Sequence, residues 1–550
     1  MRSLTNGARP PQLVAVPASS QPLAGTGELV RLALRRDRVM VPVWLAAYFL
    51  LAYVSAAAVV GLYSTEAARA VFAAGIGSNP ALTAVYGPPF DLTTIGAIST
   101  LKIGTLGAVF VAVMSVLLVV RHSRAEEEAG RLELLGAAVL GRYAPLTAAL
   151  LVAAGADVAM APAVGLGLIA GGVPAGASLL LRLTLSAAGL CFTGIAALTA
   201  QLTPNARTAT STALAVLGAA FLARAVGDTT GPGWLSWLSP IGWSQRIRPW
   251  GDATRVWPLA LSVGFAAVLA AAGCLLVARR DLGAGLFAAR PGPARAGPGL
   301  RGALGLAWYQ QRGALAGWAV GFAVLGAVVG SVASQVTALV GGNNQVGQIF
   351  TQLSGQHDLV DATLGAYFAI AGFAASAYAV AATLRLRTEE SAGRAEPLLT
   401  TGLSRSRWVA GHLGIAALGA AALLLIAGVT AGLTHGLSTG DLATQLPRVL
   451  GAALVQIPAA WVLASITVAL FGWAPRIATA AWGVLAAFLL LGQLGPLLQL
   501  PQWAMDLSPF THLPKLPHAA FTATPILWLL TVAAAFITAG PLGFRRRDLG

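Results

Sequence analysis

The residues able to do chemistry in this chain are few, and they are concentrated. Three consecutive glutamates open the stretch EEEAGRLELL (Glu126–Leu135), and EESAGRAEPL (Glu389–Leu398) repeats seven of its ten positions. The shared pattern E-E-x-A-G-R-x-E-x-L singles out Glu126, Glu127, Gly130, Arg131 and Glu133, then Glu389, Glu390, Gly393, Arg394 and Glu396. If each copy is one helix, Glu127 lies four residues before Arg131 and Glu390 four before Arg394. That is the favoured ion-pair order, contributing roughly 0.2–0.5 kcal/mol. Glu126, Gly130 and Glu133 would then share a face, with a glycine between two acids where another surface could approach closely. A charge run is most simply a solvated face. That explains the charge but not the same spacing twice, so a docking role is expected of these ten residues.

Other chemistries find little support. The two cysteines, Cys191 and Cys274, each sit in an apolar run, which predicts no disulfide and no metal site. A phosphate-binding loop of the form G-x-x-x-x-G-K-[ST] needs its lysine after glycine. The chain's two lysines follow Leu101 and Pro514, so any ATP must be bound elsewhere. QLSGQH (Gln352–His357) looks superficially like a nucleotide-binding signature, but no such loop accompanies it. The acids Glu66, Asp91 and Asp358 are isolated, and no catalytic group is expected. Among charges inside apolar runs, Asp157 and Arg182 stand out as candidates for a cavity or a mutual salt bridge, because such residues rarely face lipid. Arg224, near the end of its run, is expected to snorkel.

These residues must be positioned by a predominantly apolar chain. Of 550 residues 57% are hydrophobic and 10% charged, with a mean hydropathy of +0.75. That is too little charge to cover a water-facing surface. The net charge of +15 comes from short clusters between apolar runs, which fits membrane topology and argues against nucleic acid. A spanning helix needs about 20 apolar residues. Runs near 39–62, 103–120, 146–170, 176–200, 209–226 and 257–278 qualify, and a second series lies near 314–336, 363–383, 409–432, 449–472, 478–497 and 525–541. With the N-terminus in the cytoplasm, the inside segments hold 26 of the 35 basic residues, and both termini are expected on the cytoplasmic side of the plasma membrane. The Trp- and Pro-rich outside segments before spans six and twelve suit interface anchoring.

The halves share landmarks in one order. RVMVPVW (Arg38–Trp44) parallels RGALAGW (Arg312–Trp318), LSP recurs at Leu238 and Leu507, and RRDLG closes each half at Arg279–Gly283 and Arg546–Gly550. The fold expected is therefore an all-α integral membrane protein of twelve transmembrane helices in two parallel six-helix repeats. Residues 1–28 form a disordered cytoplasmic tail, 29–283 the first permease half, 284–299 a cytoplasmic linker and 300–550 the second half. Two amphipathic stretches, Glu28–Arg38 and Leu300–Arg312, suit helices lying in the membrane surface or basic flanks of the following span.

EEEAGRLELLGAAVLGR (Glu126–Arg142) and EESAGRAEPLLTTGLSR (Glu389–Arg405) resemble the charged loop of type-2 ATP-binding-cassette exporter permeases. The architecture is similar to the fused actinobacterial forms described as exporters of polyketide antibiotics and other drugs. The resemblance covers nearly the whole chain by architecture, and its specific motif is confined to these two stretches. It implies that each loop is a coupling helix docking on a separate cassette ATPase subunit, two copies in all, which would hold ATP and Mg. The chain itself would carry no cofactor and would move a small hydrophobic, drug-like or lipid-like substrate by alternating access. Pro397, standing where the first copy has Leu134, is expected to end or kink the second helix. A proton-driven transporter of the major facilitator type also has twelve spans in parallel halves, but its corresponding loop is led by basic residues and not by glutamates. A membrane-embedded enzyme acting on lipid-linked substrates would need clustered Asp, Glu or His at the membrane face.

Overall fold

A computed structural model describes residues 22–77, 80–88, 90, 92–135, 140–174, 179–229, 232–249, 254–281, 283–287, 294–295, 297–300, 302–342, 356–494, 501–514, 516–517 and 521–548. Every regular element among them is helical. The chain divides into two compact units, 1–291 and 292–550. The boundary falls inside the expected linker, of which residues 288–293 and 296 lie outside the described residues, as do residues 1–21 of the expected tail.

In unit 1, α1 (Thr26–Arg36) leads into α2 (Met40–Leu62), followed by the short α3 (Glu66–Gly77) and α4 (Pro80–Tyr86). The long α5 (Ile95–His122) ends in the charged loop, made of α6 (Arg124–Glu128) and α7 (Arg131–Leu135). Then come α8 (Ala144–Ala170), α9 (Leu179–Leu202), α10 (Ala206–Thr229), α11 (Pro240–Arg246) and α12 (Trp257–Val277). Helix α9 is the hub, packing against α5, α8, α10 and α12. Its face is lined by Leu185, Ala188, Phe192 and Ala196, all buried. Glycine sets one spacing: a Cβ on Gly167 of α8 would lie 2.3 Å from the Phe49 carbonyl oxygen of α2, so the helices touch backbone to backbone. Val43, Leu50 and Val54 on α2 and Val268 and Leu275 on α12 are exposed apolar side chains, a surface suited to lipid.

Unit 2 runs α13 (Ala303–Gly342), α14 (Gln356–Thr383), α15 (Arg385–Ser391), α16 (Ala395–Leu399), α17 (Arg405–Thr439), α18 (Leu442–Leu454), α19 (Ile457–Trp473), α20 (Ala481–Leu494), α21 (Gln502–Met505) and α22 (Ala523–Arg546). Here α13 packs along α17, and α19 against α22. The charged loop comprises α15 and α16.

By length and composition, eleven described helices can cross a membrane. Among the described residues every expected apolar run falls on helix, the run near 449–472 being shared between α18 and α19. The run near 478–497 falls on α20, a shorter helix whose last described residue is Leu494. The two amphipathic stretches take different forms. In unit 1 the chain breaks at Asp37–Val39, because the Asp37 carboxylate is held by His122 and Arg121 and Pro42 sits in the first turn of α2. In unit 2 position 316 is alanine and not proline, and residues 303–312 run straight into α13. A separate surface helix over Leu300–Arg312 is therefore absent.

Candidate functional site

Each charged loop is two short helices hinged at a glycine. Gly130 has φ +68° and Gly393 φ +69°, the left-handed region that side chains adopt at a cost. Gly393 N–H donates to the Glu390 carbonyl and Arg394 N–H to that of Glu389, closing the first helix with backbone bonds of 2.9 and 3.0 Å. The hinge changes the ion-pair register from that of one continuous helix. Arg131 folds back onto Glu126, five residues away, with contacts of 2.9 and 3.0 Å, and Arg394 grips Glu389 at 2.7 and 3.2 Å. The i,i+4 pairs Glu127–Arg131 and Glu390–Arg394 do not form, and no common helical face joins Glu126, Gly130 and Glu133. The Glu389 hydrogen bond holds the Arg394 guanidinium above its ordinary pKa.

The second glutamate of each copy is tied to the end of its unit. Glu127 takes two bonds from Arg280, at 2.5 and 2.8 Å, a third from the Gly283 N–H at 2.6 Å, and a contact from Arg124 at 3.1 Å. In unit 2, Glu390 takes two bonds from Arg547, at 2.6 and 2.8 Å. Arg280 and Arg547 are the same position of the two RRDLG motifs, so both sequence repeats meet in both units. The arginine that closes each motif reinforces this junction. Arg142 donates to the Ala278 carbonyl at 2.8 Å, and Arg405 donates to the Phe544 carbonyl at 2.9 Å, covering open carbonyls at the end of the last long helix.

The loops differ in their remaining partners. Arg36 of α1 reaches Glu126 at 2.6 Å, whereas Arg385 of the loop itself reaches Glu389 at 2.7 Å. Glu128, which is serine in the second copy, accepts the Ala206 N–H at 2.8 Å and so covers the start of α10. Pro397 neither ends nor kinks its helix. Helix α16 begins at Ala395, so the proline occupies the first turn, where its missing N–H had no helical acceptor. Among the described residues each second helix spans five residues. The ten candidate residues therefore separate into two sets. Glu126, Glu127 and Glu389 are buried and Glu390 is half-buried, all engaged with arginines. Glu133 and Glu396, with Arg131 and Arg394, are exposed on the second helix of each loop.

Asp157 is fully buried between α5, α8 and α9. Its two carboxylate oxygens accept from Ser115 Oγ at 2.7 Å and Thr193 Oγ1 at 2.9 Å, and its backbone carbonyl accepts from Ser186. Arg182 lies in the first turn of α9, against Gly165 of α8, and no ion pair joins it to Asp157. Arg224 does not snorkel. It is fully buried and pairs with Asp228 at 3.7 Å, while Arg246 shares that aspartate at 3.5 Å. Asp228 lies just beyond the apolar run, so the pattern of charges inside apolar runs does not include it. The pair Asp361–Arg448 likewise joins α14 to α18 at the edges of runs in unit 2. No group of three or more His, Cys, Asp or Glu able to hold a metal occurs among the described residues. QLSGQH falls largely on residues 352–355, outside the described residues. Unit 2 holds an apolar cavity of about 310 Å³ lined by Leu454, Trp461, Leu516, Phe521 and Leu530.

A family model described as "Multidrug efflux system permease Rv1217c, C-terminal domain" matches residues 27–277 and 300–545. The chain is also 46% identical over 526 residues to the "Multidrug efflux system permease protein Rv1217c" of Mycobacterium tuberculosis (strain ATCC 25618 / H37Rv), an alignment covering 96% of this chain and 95% of that one.

Proposed function

From the premise that this chain belongs to the Rv1217c multidrug efflux system permease family, we propose that it is the membrane subunit of an ATP-driven exporter whose ATPase is a separate protein. The coarser role is a multi-pass drug-efflux permease. The finer reading adds twelve spans in two parallel halves, both termini in the cytoplasm, and one charged loop per half serving as a coupling element of the type-2 cassette exporters. One observation carries it. In both units a glutamate-led loop is fastened by a two-pronged pair to the end of the last long helix. A loop so fastened moves as one body with that helix, which is what transmission from a docked motor requires.

In this reading Glu133 and Glu396 meet the ATPase subunits, two copies in all, while Glu126, Glu127, Glu389 and Glu390 hold the loops rigid behind them. ATP and Mg are bound by those partners, and this chain contributes no catalytic group. ATP binding closes the partner dimer, the loops move, and the apolar path opens outward. Apolar space such as the unit 2 cavity suits a hydrophobic, drug-like cargo.

Dye efflux from energised inverted vesicles, with the permease and a cassette ATPase co-expressed, tests the proposal. ATP should drive uptake, vanadate should stop it, and a protonophore should leave it intact. Efflux that survives without any cassette ATPase and collapses with the proton gradient would instead mark a secondary transporter.

A further inference from the structure

At the end of α5 opposite the charged loop, unit 1 carries a second polar cluster for which coupling has no use. A cavity of about 80 Å³ lies between the first turns of α5 and α9 and the segment following α11. Phe90, Leu101 and Leu181 give it apolar walls, and Thr100, Gln245 and Arg248 supply polar atoms. The Gln245 amide is fixed by donating to Thr105 Oγ1 at 2.5 Å, yet its Oε1 is enclosed with no hydrogen-bond partner. The Arg248 guanidinium lies 4.1 Å from the centre of the Phe90 ring, and its Nε is also enclosed and unpartnered. Arg248 has φ +50°, the one non-glycine residue in the left-handed region among the described residues. Such backbone strain costs about 1–3 kcal/mol and persists only where the surroundings enforce it. Here the Arg255 N–H donates to Ile247 O at 2.9 Å and Thr254 Oγ1 to Arg248 O at 3.2 Å, clamping the turn.

The charge balance at this end is lopsided. Asp228 is shared by Arg224 and Arg246, so its single charge is already used. Arg248 and Arg255 have no acidic partner among the described residues, while Asp91 and Asp252 lie outside them. Partial burial and the nearby Arg255 and Arg246 charges hold the Arg248 guanidinium below its ordinary pKa, as befits a cation lacking a counter-ion. In the orientation proposed above this end faces outward, the side on which the topology rule disfavours arginine. A cation unpaired among the described residues, beside an apolar slot with a free acceptor, is complementary to a molecule that is anionic at one end and greasy at the other.

We propose that this cavity binds an anionic amphiphile, with its carboxylate or phosphate head on Arg248, Arg255 adding attraction from the loop, and the adjoining apolar part against Phe90, Leu101 and Leu181. A hydroxyl or amide next to the head would donate to Gln245 Oε1. Drug-sized ligands fill roughly 300–1,000 Å³, so this cavity takes the head-proximal part of such a molecule and not the whole. The proposal rests on the permease reading, which it refines by naming the charge of a ligand the chain handles.

The test uses the full chain in nanodiscs of zwitterionic lipid, with a fluorescent long-chain fatty acid and its methyl ester as matched probes. The acid should bind at least about tenfold tighter than the ester, the order expected for one charge-assisted hydrogen bond. Arg248→Gln, which keeps the stem on the same backbone, should remove that advantage and leave ester binding unchanged, while Arg248→Lys should restore part of it. Equal binding of acid and ester, or an unchanged acid affinity in Arg248→Gln, overturns the proposal. So does full displacement of the acid by millimolar inorganic phosphate, which would mark a bare anion site. Efflux of an uncharged dye is measured in parallel in inverted vesicles with the cassette ATPase co-expressed. Its absence in the unaltered protein would defeat the permease reading while leaving the binding result to be judged alone.

Discussion

Glu127 and Arg280, 153 residues apart in sequence, meet in a two-pronged pair of 2.5 and 2.8 Å. Glu390 and Arg547, 157 residues apart, repeat it at 2.6 and 2.8 Å. Each pair joins the loop after one long helix to the end of the unit's last one, closing the polar end of the unit. The geometry is matched to its chemistry: guanidinium and carboxylate present parallel donors and acceptors, so the pair fixes orientation as well as distance.

Breaking this pair should destabilise the unit rather than a surface. Removing one partner of an enclosed ion pair costs about 3–5 kcal/mol, because the other charge is stranded. Glu127→Gln should cost more than Glu390→Gln, since Glu127 also answers Arg124 and the Gly283 N–H. The charge swap belongs in unit 2: Glu390→Arg with Arg547→Glu should regain part of the stability lost by either change alone. Thermal unfolding of the purified chain reads all five variants, and equal losses for Glu127→Gln and Glu390→Gln would refute the ranking.

The exposed acids should behave in the opposite way. Glu133→Lys and Glu396→Lys touch no partner the fold needs, so stability should shift by no more than about 0.5 kcal/mol. Under the proposed function each should weaken retention of the ATPase subunit on an affinity-tagged permease, and the double variant should abolish it. Unchanged copurification in the double variant would remove these residues from the docking surface.

Much of this was legible in the sequence, and the remainder was hidden for identifiable reasons. The repeated E-E-x-A-G-R motif and the repeated RRDLG motif were both visible. Their meeting was not, because nothing in local spacing reports a contact across 153 residues. The Glu127–Arg131 pairing assumed an unbroken helix, and Gly130 defeats it by turning left-handed, an outcome glycine permits without requiring. Pro397 looked disruptive only while the helix start was placed too early; beginning at Ala395 makes it harmless. The position of Arg224 in its apolar run predicts snorkelling, whereas its partner Asp228 one turn later decides its burial. Apolar runs were the most secure reading, since burial and membrane crossing both follow from composition over a long window.

The hinge glycines give a test of backbone conformation alone. A Cβ at Gly130 or Gly393 would meet nothing within 4 Å, so substitution there introduces strain without a clash. Gly130→Ala and Gly393→Ala should each cost about 1–2 kcal/mol, the left-handed penalty for a side chain. Asn should cost less, because it tolerates that region better. If alanine and asparagine were equally harmful in thermal unfolding, the cost would lie in something other than φ.

Asp157 offers the sharpest separation of structure from transport. Its carboxylate organises Ser115 and Thr193 from two neighbouring helices, with no cation beside it among the described residues. Asp157→Asn keeps the shape and can still bond both hydroxyls, so folding and membrane assembly should survive while efflux falls. Asp157→Leu removes both side-chain acceptors and should cost about 1–3 kcal/mol, chiefly for Thr193, since Ser115 keeps the Val111 carbonyl, with further loss from crowding Gly189. Gly189 supplies an independent check, because a Cβ there would lie 2.5 Å from Asp157 Oδ1 and must displace the carboxylate. Gly189→Ala should therefore lower efflux even though the acid remains in place. Normal efflux in Asp157→Asn would reduce this residue to a tolerated polar group. Reduced efflux in Asp157→Asn and Gly189→Ala alike, with assembly intact, would tie transport to where the carboxylate sits as well as to its presence.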